Sequence, residues 1–78
     1  MNVFNQKEYW IGGKGEKTLL EDLSDEHLKN IIKMLMTNRD KAVGYCVDND
    51  LIFENNPFNT IRKTKLFKAL LSELDRRW

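Results

Sequence analysis

The chain has 78 residues, of which 13 are Lys or Arg, 12 are Asp or Glu and one is His, so its net charge is +1 at pH 7. This length predicts one domain over residues 1–78, and a hydrophobic fraction of 41% is typical of a globular chain rather than a disordered one. No apolar run approaches the roughly 20 residues that span a bilayer, and no signal peptide is apparent. Because Cys46 is the only cysteine, no intrachain disulfide can form. We therefore expect a cytoplasmic protein without membrane partners.

A β-hairpin is predicted close to the N-terminus. Residues 1–7 are polar, and we expect them to be frayed and flexible. Two short β-prone segments, at 8–11 and 16–20, then flank a turn with three glycines, which supply the positive φ angles of a tight reversal. Because a two-stranded hairpin is marginal alone, it must pack on helices, and Trp10 is its expected anchor.

Two amphipathic helices are predicted after the hairpin. Ser24 caps the first, which should run to about Asn38 and could continue toward Val43. Its predicted apolar face is Leu28, Ile31, Ile32 and Leu35. Asn59 or Thr60 caps the second helix. Its predicted apolar face is Phe67, Leu70, Leu71, Leu74 and Trp78. The predicted fold is a small α+β domain, with an N-terminal β-hairpin packed on two antiparallel amphipathic helices.

The glycine turn does not match a phosphate-binding loop. Such a loop places Gly-Lys-Ser/Thr at the junction between a strand and a helix. Here Glu16 stands directly before Lys17 and Thr18, where glycine belongs, and a second strand follows. The turn is therefore interpreted as part of the hairpin, and no cofactor is expected.

The other polar residues do not indicate catalysis or a metal. His27 is the only histidine, and Ser24, its nearest candidate partner in general-base chemistry, is committed to the cap. We expect His27 to pack on the hairpin or to close the cap, and Cys46 to be a buried small hydrophobe. Zinc needs three or four ligands, which one His and one Cys do not supply. The acidic residues of the irregular middle are interpreted as solvated turn carboxylates: Asp48, Asp50 and Glu54.

Charge is unevenly distributed along the chain. Residues 60–78 carry six basic and two acidic side chains, whereas residues 1–59 carry seven basic and ten acidic ones. On the second predicted helix, Arg62, Lys65 and Arg76 share the side opposite the apolar face. This basic face could meet an acidic protein or a nucleic acid, or could simply be solvated. With Phe58 and Trp78 added as aromatic contacts, these are the expected binding residues.

Several apolar side chains have no obvious place in two helices and a hairpin. They are Met34, Met36, Phe53, Phe58 and Trp78. Some must fill gaps in the core, and others could form an interaction patch, since Met and aromatic residues are typical of interfaces. Such a patch could also support a homodimer.

The stretch from Trp10 to Leu35 resembles a family of small, uncharacterised bacteriophage-encoded proteins. The shared pattern is a Trp, a Gly about five residues on, a short apolar strand, and then Asp-Met/Leu-x-x-x-His-Leu-x-Asn-x-Ile-x-x-Leu. The matching positions are Trp10, Gly15, Asp22, Leu23, His27, Leu28, Asn30, Ile31 and Leu35. Residues 70–77 also look like that family's closing helix, whereas residues 40–60 match no pattern.

The resemblance implies a phage accessory protein that acts in the cytoplasm of the bacterial host. Because His27 and Asn30 lie three residues apart on one helix, we expect both to face the hairpin and to fix its docking. With no catalytic group indicated, the hypothesis is a non-catalytic protein-binding module whose partner is a host or phage protein. Its concrete version is an inhibitor of a host protein, of the anti-defence, anti-CRISPR-like kind. The alternative is a nucleic-acid-binding protein that uses the basic C-terminal helix.

Overall fold

The structure, a computed structural model, describes residues 2–53 and 55–77. A two-stranded antiparallel hairpin, β1 (Tyr9–Ile11) and β2 (Lys17–Leu19), precedes four α-helices. These are α1 (Asp25–Thr37), α2 (Arg39–Asp48), α3 (Pro57–Arg62) and α4 (Lys65–Arg76), and single 3-10 turns lie at Val3–Asn5 and Leu20–Asp22. The predicted α+β class, with a hairpin followed by helices, is confirmed. The number of helical segments differs from the prediction, because polar capping residues interrupt both predicted helices.

The hairpin turn depends on glycine at one position. The Gly12 N–H donates to the Glu16 carbonyl at 2.8 Å, and the Gly15 N–H donates to the Gly12 carbonyl at 2.9 Å. Gly15 has a φ of +83°, in the left-handed region that residues with a Cβ rarely adopt. This is the pattern of a three-residue hairpin loop that ends in a left-handed residue. The predicted turn role of Gly15 is confirmed.

Trp10 anchors the hairpin on α2. Its side chain is buried, and its ring lies 5.5 Å from the ring of Tyr45, measured between centroids. The ring of Phe4 meets the same Tyr45 ring edge-on at 5.9 Å. These three rings form an aromatic cluster that joins the N-terminus, the hairpin and α2. The predicted anchoring role of Trp10 is confirmed, and the cluster identifies its partner.

The first predicted helix is divided by Asn38. Ser24 caps α1 as predicted, because its hydroxyl accepts from the His27 N–H at 3.1 Å. The Asn38 N–H donates to the Met34 carbonyl, which ends α1, and the Asn38 side chain accepts from the Lys41 N–H, which begins α2. The suggested continuation toward Val43 is therefore a separate helix that runs on to Asp48. An N-capping Asn has extended dihedrals, which redirect the chain.

The second predicted helix is divided in the same way, and its predicted start is wrong. Asn56, rather than Asn59 or Thr60, caps α3, and Pro57 occupies the first helical position, which suits its missing N–H. Thr64 then adopts extended dihedrals and caps α4 by accepting from the Phe67 N–H at 3.2 Å. The predicted pair of helices is thus two pairs of shorter helices.

The core lies between these helices and the hairpin. On α1 the predicted face is confirmed, since Leu28, Ile31 and Leu35 are buried and Ile32 packs against them. On α4 the buried positions are Leu66, Phe67 and Leu70, whereas Leu71 is 44% exposed. The predicted face included Leu71 and omitted Leu66, because the cap at Thr64 sets the rotation of α4 independently of the residues before it. Of the two remaining predicted members, Leu74 is partly buried and packs against the core, and Trp78 lies outside the described residues.

The N-terminal segment belongs to the core, contrary to the expectation that residues 1–7 are frayed. Phe4 is only 1% exposed, and the short Val3–Asn5 turn that carries it packs against α4. The Val3 N–H donates to the side-chain carbonyl of Asn49 at 2.8 Å, and the Asn49 amide in turn donates to the Tyr45 carbonyl. Burial of the large Phe4 side chain is enough to hold this segment in the core, although most of its neighbours are polar.

We expect Phe4 to be necessary for stability. Phe4→Leu should reduce the free energy of unfolding by about 1 to 1.5 kcal/mol and Phe4→Ala by about 3 kcal/mol or more, because each leaves a cavity in the core. Urea denaturation followed by circular dichroism measures both. Asn5→Ala, at the exposed neighbouring position, is the control and should stay within about 0.5 kcal/mol of the wild type. Equal stability of Phe4→Ala and Asn5→Ala would contradict this placement of the N-terminus.

Candidate functional site

A groove runs beside α4, and we call it the α4 groove. Its volume is about 940 Å³. One wall is formed by residues 5–8 and 19–21, which lead into and out of the hairpin. The other wall is formed by α4 through Lys65, Lys68, Ala69, Ser72, Glu73 and Arg76. The groove exists because the buried Phe4 holds the N-terminal segment next to α4.

The polar residues of α4 form one row along this groove. Lys65, Lys68, Ser72 and Arg76 follow each other at spacings of three, four and four residues, which places them on one side of a helix. All four are exposed. Lys65 and Lys68 make no ion pair with the described residues, whereas Arg76 pairs with Glu73. The N-terminal end of the row therefore presents two ammonium groups that no described carboxylate neutralises by direct contact.

The position of Lys65 and Lys68 is unfavourable for the helix itself. They lie in the first turn of α4, which contains no acidic residue. The N-terminus of a helix is the positive end of its dipole, and a cation there costs up to about 1 kcal/mol. Arg62 lies in the last turn of α3, where a cation is favourable. Folding thus accounts for the position of Arg62 but not for those of Lys65 and Lys68.

Arg77 holds the C-terminal end of α4 to the rest of the protein. Its guanidinium donates to Glu73 at 3.0 Å, to Asp25 of α1 at 2.8 Å and to the Leu20 carbonyl at 3.1 Å. Burial raises the pKa of the Glu73 carboxyl, but the hydrogen bonds from Arg77 and Arg76 outweigh it, so the net pKa lies below the ordinary value. The same carboxylate, by its hydrogen bond, raises the pKa of Arg77. These contacts fix the position of α4 relative to α1 and to the Leu20–Asp22 turn.

Two of the predicted binding residues, Lys65 and Arg76, lie together in the α4 groove. Arg62 does not, because the break at Thr64 places it on α3, where its side chain bonds that of Asn59. The predicted shared face of all three residues is therefore wrong. Phe58 is half-buried and packs against the core. Trp78 lies outside the described residues.

The predicted docking role of His27 and Asn30 is wrong. Both side chains are exposed on α1, and neither makes a hydrogen bond to the described part of the hairpin. His27 contributes its backbone N–H to the Ser24 cap, which agrees with the second expectation for this residue, and its side chain is exposed. The spacing of three residues puts both on the same side of the helix as predicted, and that side faces solvent.

The described residues contain no cluster of metal-ligating side chains, and their one cysteine is buried. No group of three His, Cys, Asp or Glu there could hold a metal ion. Cys46 is buried as predicted, and burial raises the pKa of its thiol, which disfavours the reactive thiolate. Asp48 and Asp50 are exposed, as expected of solvated carboxylates, and Glu54 lies outside the described residues.

Among the described helices, none has both the length and the apolar character needed to span a bilayer.

The apolar side chains without a predicted place divide into two groups. Met34, Phe53 and Phe58 are half-buried and pack against the core, which accounts for them by folding. Met36 is exposed. Other apolar side chains that the sequence did not single out are exposed as well, and the most exposed of them is Ile52, at 90%. A homodimer remains a prediction.

Two functional candidates in the groove were missed from the sequence, Lys68 and Ser72. The signal that could have found them is the spacing from Lys65 to Arg76, where steps of three, four and four residues pass through Lys68 and Ser72. Compared with known protein families, with curated proteins and with solved structures, the chain has no match in any of the three. The geometry of the groove is therefore the basis for assigning a function.

We expect stability to depend on acid pH through Glu73. Because the folded-state pKa of Glu73 lies below its unfolded value, its contribution is fully present above about pH 5 and is lost as pH falls through the folded pKa. Melting temperatures measured from pH 7 to pH 3 should fall more steeply for the wild type than for Glu73→Gln. Asp75→Asn, a neighbouring exposed acid, is the control and should keep the wild-type slope. Identical slopes for Glu73→Gln and the wild type would contradict the role assigned to Arg77.

Proposed function

We propose that this chain is a non-catalytic protein-binding module that accepts an acidic segment of a partner protein in the α4 groove. The observation that carries this proposal is the pair Lys65 and Lys68. They stand exposed in the groove, oppose the dipole of their own helix and make no ion pair with the described residues. A charge that is locally unfavourable and unexplained by packing is a mark of function.

A protein partner fits the groove better than a nucleic acid does. Glu8, Glu21 and Glu73 line the same groove as the cations. A nucleic-acid backbone carries one charge at every phosphate, and these carboxylates would repel it. An acidic protein segment can place its carboxylates beside Lys65 and Lys68 and neutral or basic residues beside the groove's own carboxylates, which an unbroken row of phosphates cannot do.

The proposed biological role is that of a small phage accessory protein that inhibits a host protein in the bacterial cytoplasm. Its support is the resemblance between residues 10–35 and small phage-encoded proteins. A chain of 78 residues that acts through surface contacts alone is compatible with this anti-defence role. The role rests on analogy, whereas the binding surface rests on geometry.

Charge reversal in the α4 groove should separate binding from folding. The double variant Lys65→Glu/Lys68→Glu should lose a partner that the wild type captures from bacterial lysate. Its melting temperature should equal or exceed that of the wild type, because acidic residues suit the first turn of a helix. The matched control is Lys33→Glu/Lys63→Glu, which makes the same charge change at exposed positions outside the groove and should keep the partner. Affinity capture read by mass spectrometry, with thermal melts on each variant, measures both.

Nuclease treatment and a salt series complete this experiment. A partner retained after nuclease, and lost only in the groove variant, supports protein binding. Binding that disappears with nuclease, and falls with salt at a log–log slope of roughly one per phosphate contact, would replace the proposal with nucleic-acid binding. Equal loss in both double variants would mean that net charge matters rather than the α4 groove.

A further inference from the structure

A second cavity lies between the hairpin turn and α2, and we call it the hairpin–α2 cleft. Its volume is about 620 Å³. Its floor is the aromatic cluster of Phe4, Trp10 and Tyr45, of which Tyr45 is the most accessible. Gly13 of the turn stands on one side and Gly44 of α2 on the other. It lies apart from the α4 groove, and the two have no described lining residue in common.

The rim of this cleft is acidic. Asp40, Tyr45 and Asp48 all line it from α2, and the two carboxylates are eight residues apart, which is about 12 Å along a helix axis. Lys41 is the single basic residue among the described residues of the lining. Burial raises the pKa of the Tyr45 phenol, and the negative charges of Asp48 and Glu16 raise it further. An occupant of the cleft therefore meets an aromatic ring in a negative field.

Because Gly44 has no side chain, the middle of the cleft is open, but glycine at this position makes α2 less stable. It is exposed in the interior of that helix, where glycine is less favourable than alanine. A Cβ added at Gly44 would meet no described atom within 4 Å, so packing inside the described part of the protein does not require glycine there. The absence of a side chain instead gives room for another backbone to approach α2.

We propose that the hairpin–α2 cleft binds an arginine side chain of a partner's extended segment, with the guanidinium over the Tyr45 ring and the segment's backbone crossing Gly44. Arginine is favoured because its planar, weakly hydrated guanidinium stacks on aromatic faces and pairs with carboxylates. Charge complementarity selects this occupant, since the two lining carboxylates, Asp40 and Asp48, outnumber the one lining cation, Lys41, and Glu16 adds negative charge at Tyr45. The charge preference is opposite to that of the α4 groove, so this inference does not depend on the proposed function.

The test uses the whole protein and a pair of peptides that differ in one charge. The probe is Ser-Gly-Arg-Gly-Ser with blocked ends, and the comparison peptide has citrulline, the neutral isostere of arginine, at the centre. ¹⁵N-labelled protein is titrated with each peptide by NMR. Saturable shifts are expected at the amides of Gly13, Gly44 and Tyr45 with the arginine peptide, and at least threefold weaker binding is expected with citrulline. Equal binding of the two peptides, or no shift at these amides, would overturn the proposal.

Variants then assign the binding to the cleft. Asp48→Asn should weaken the arginine peptide about two- to fivefold, as expected for an exposed ion pair, and Gly44→Leu should abolish its saturable shifts by filling the cleft. Asp75→Asn is the matched control on α4 and should bind as the wild type does. Gly44→Ala should raise the melting temperature by about 4 to 8 °C while weakening the peptide. Unchanged binding in both Asp48→Asn and Gly44→Leu would place the peptide elsewhere and would overturn the proposal.

Discussion

The burial of Phe4 holds the N-terminal segment, α2 and α4 together. Its ring packs against Tyr45 of α2, while the short turn that carries it packs on α4. The next residues of the chain are thereby held beside α4, where they form one wall of the α4 groove. The same ring belongs to the floor of the hairpin–α2 cleft. Both candidate surfaces thus depend on one aromatic side chain near the chain's start, since a core of this size has few large side chains to share.

The two surfaces carry opposite charge on different helices. Lys65 and Lys68 give the α4 groove exposed cations, whereas Asp40 and Asp48 give the rim of the hairpin–α2 cleft its carboxylates. The net charge of +1 conceals this separation. Each surface also contains a residue that its helix would disfavour, a cation at the N-terminus of α4 and Gly44 inside α2. Such local departures from the best choice for folding are expected where a surface serves binding.

The candidate site was predictable from the sequence in part. Lys65 and Arg76 were placed together correctly, because helical periodicity within one helix is a local property. Arg62 was grouped with them wrongly, because a single capping residue, Thr64, divides the predicted helix and sets a new direction for α4. His27 and Asn30 lie on one side of α1 as their spacing implies. That this side faces solvent rather than the hairpin depends on how distant elements pack, which spacing does not encode.

The features that the sequence determined by itself were local: the α+β class, the glycine turn at Gly15, the Ser24 cap and the apolar face of α1. Each depends on interactions between residues a few positions apart, such as cap hydrogen bonds and helical periodicity. Only the tertiary structure decided the placement of Phe4, the contacts of Arg77 and the walls of both cavities. These join residues far apart in the sequence, such as Arg77 and Asp25, which are 52 positions apart, and they arise when the whole core is packed. Close packing admits few arrangements, and it is fixed by the combined shape of many side chains rather than by any short pattern.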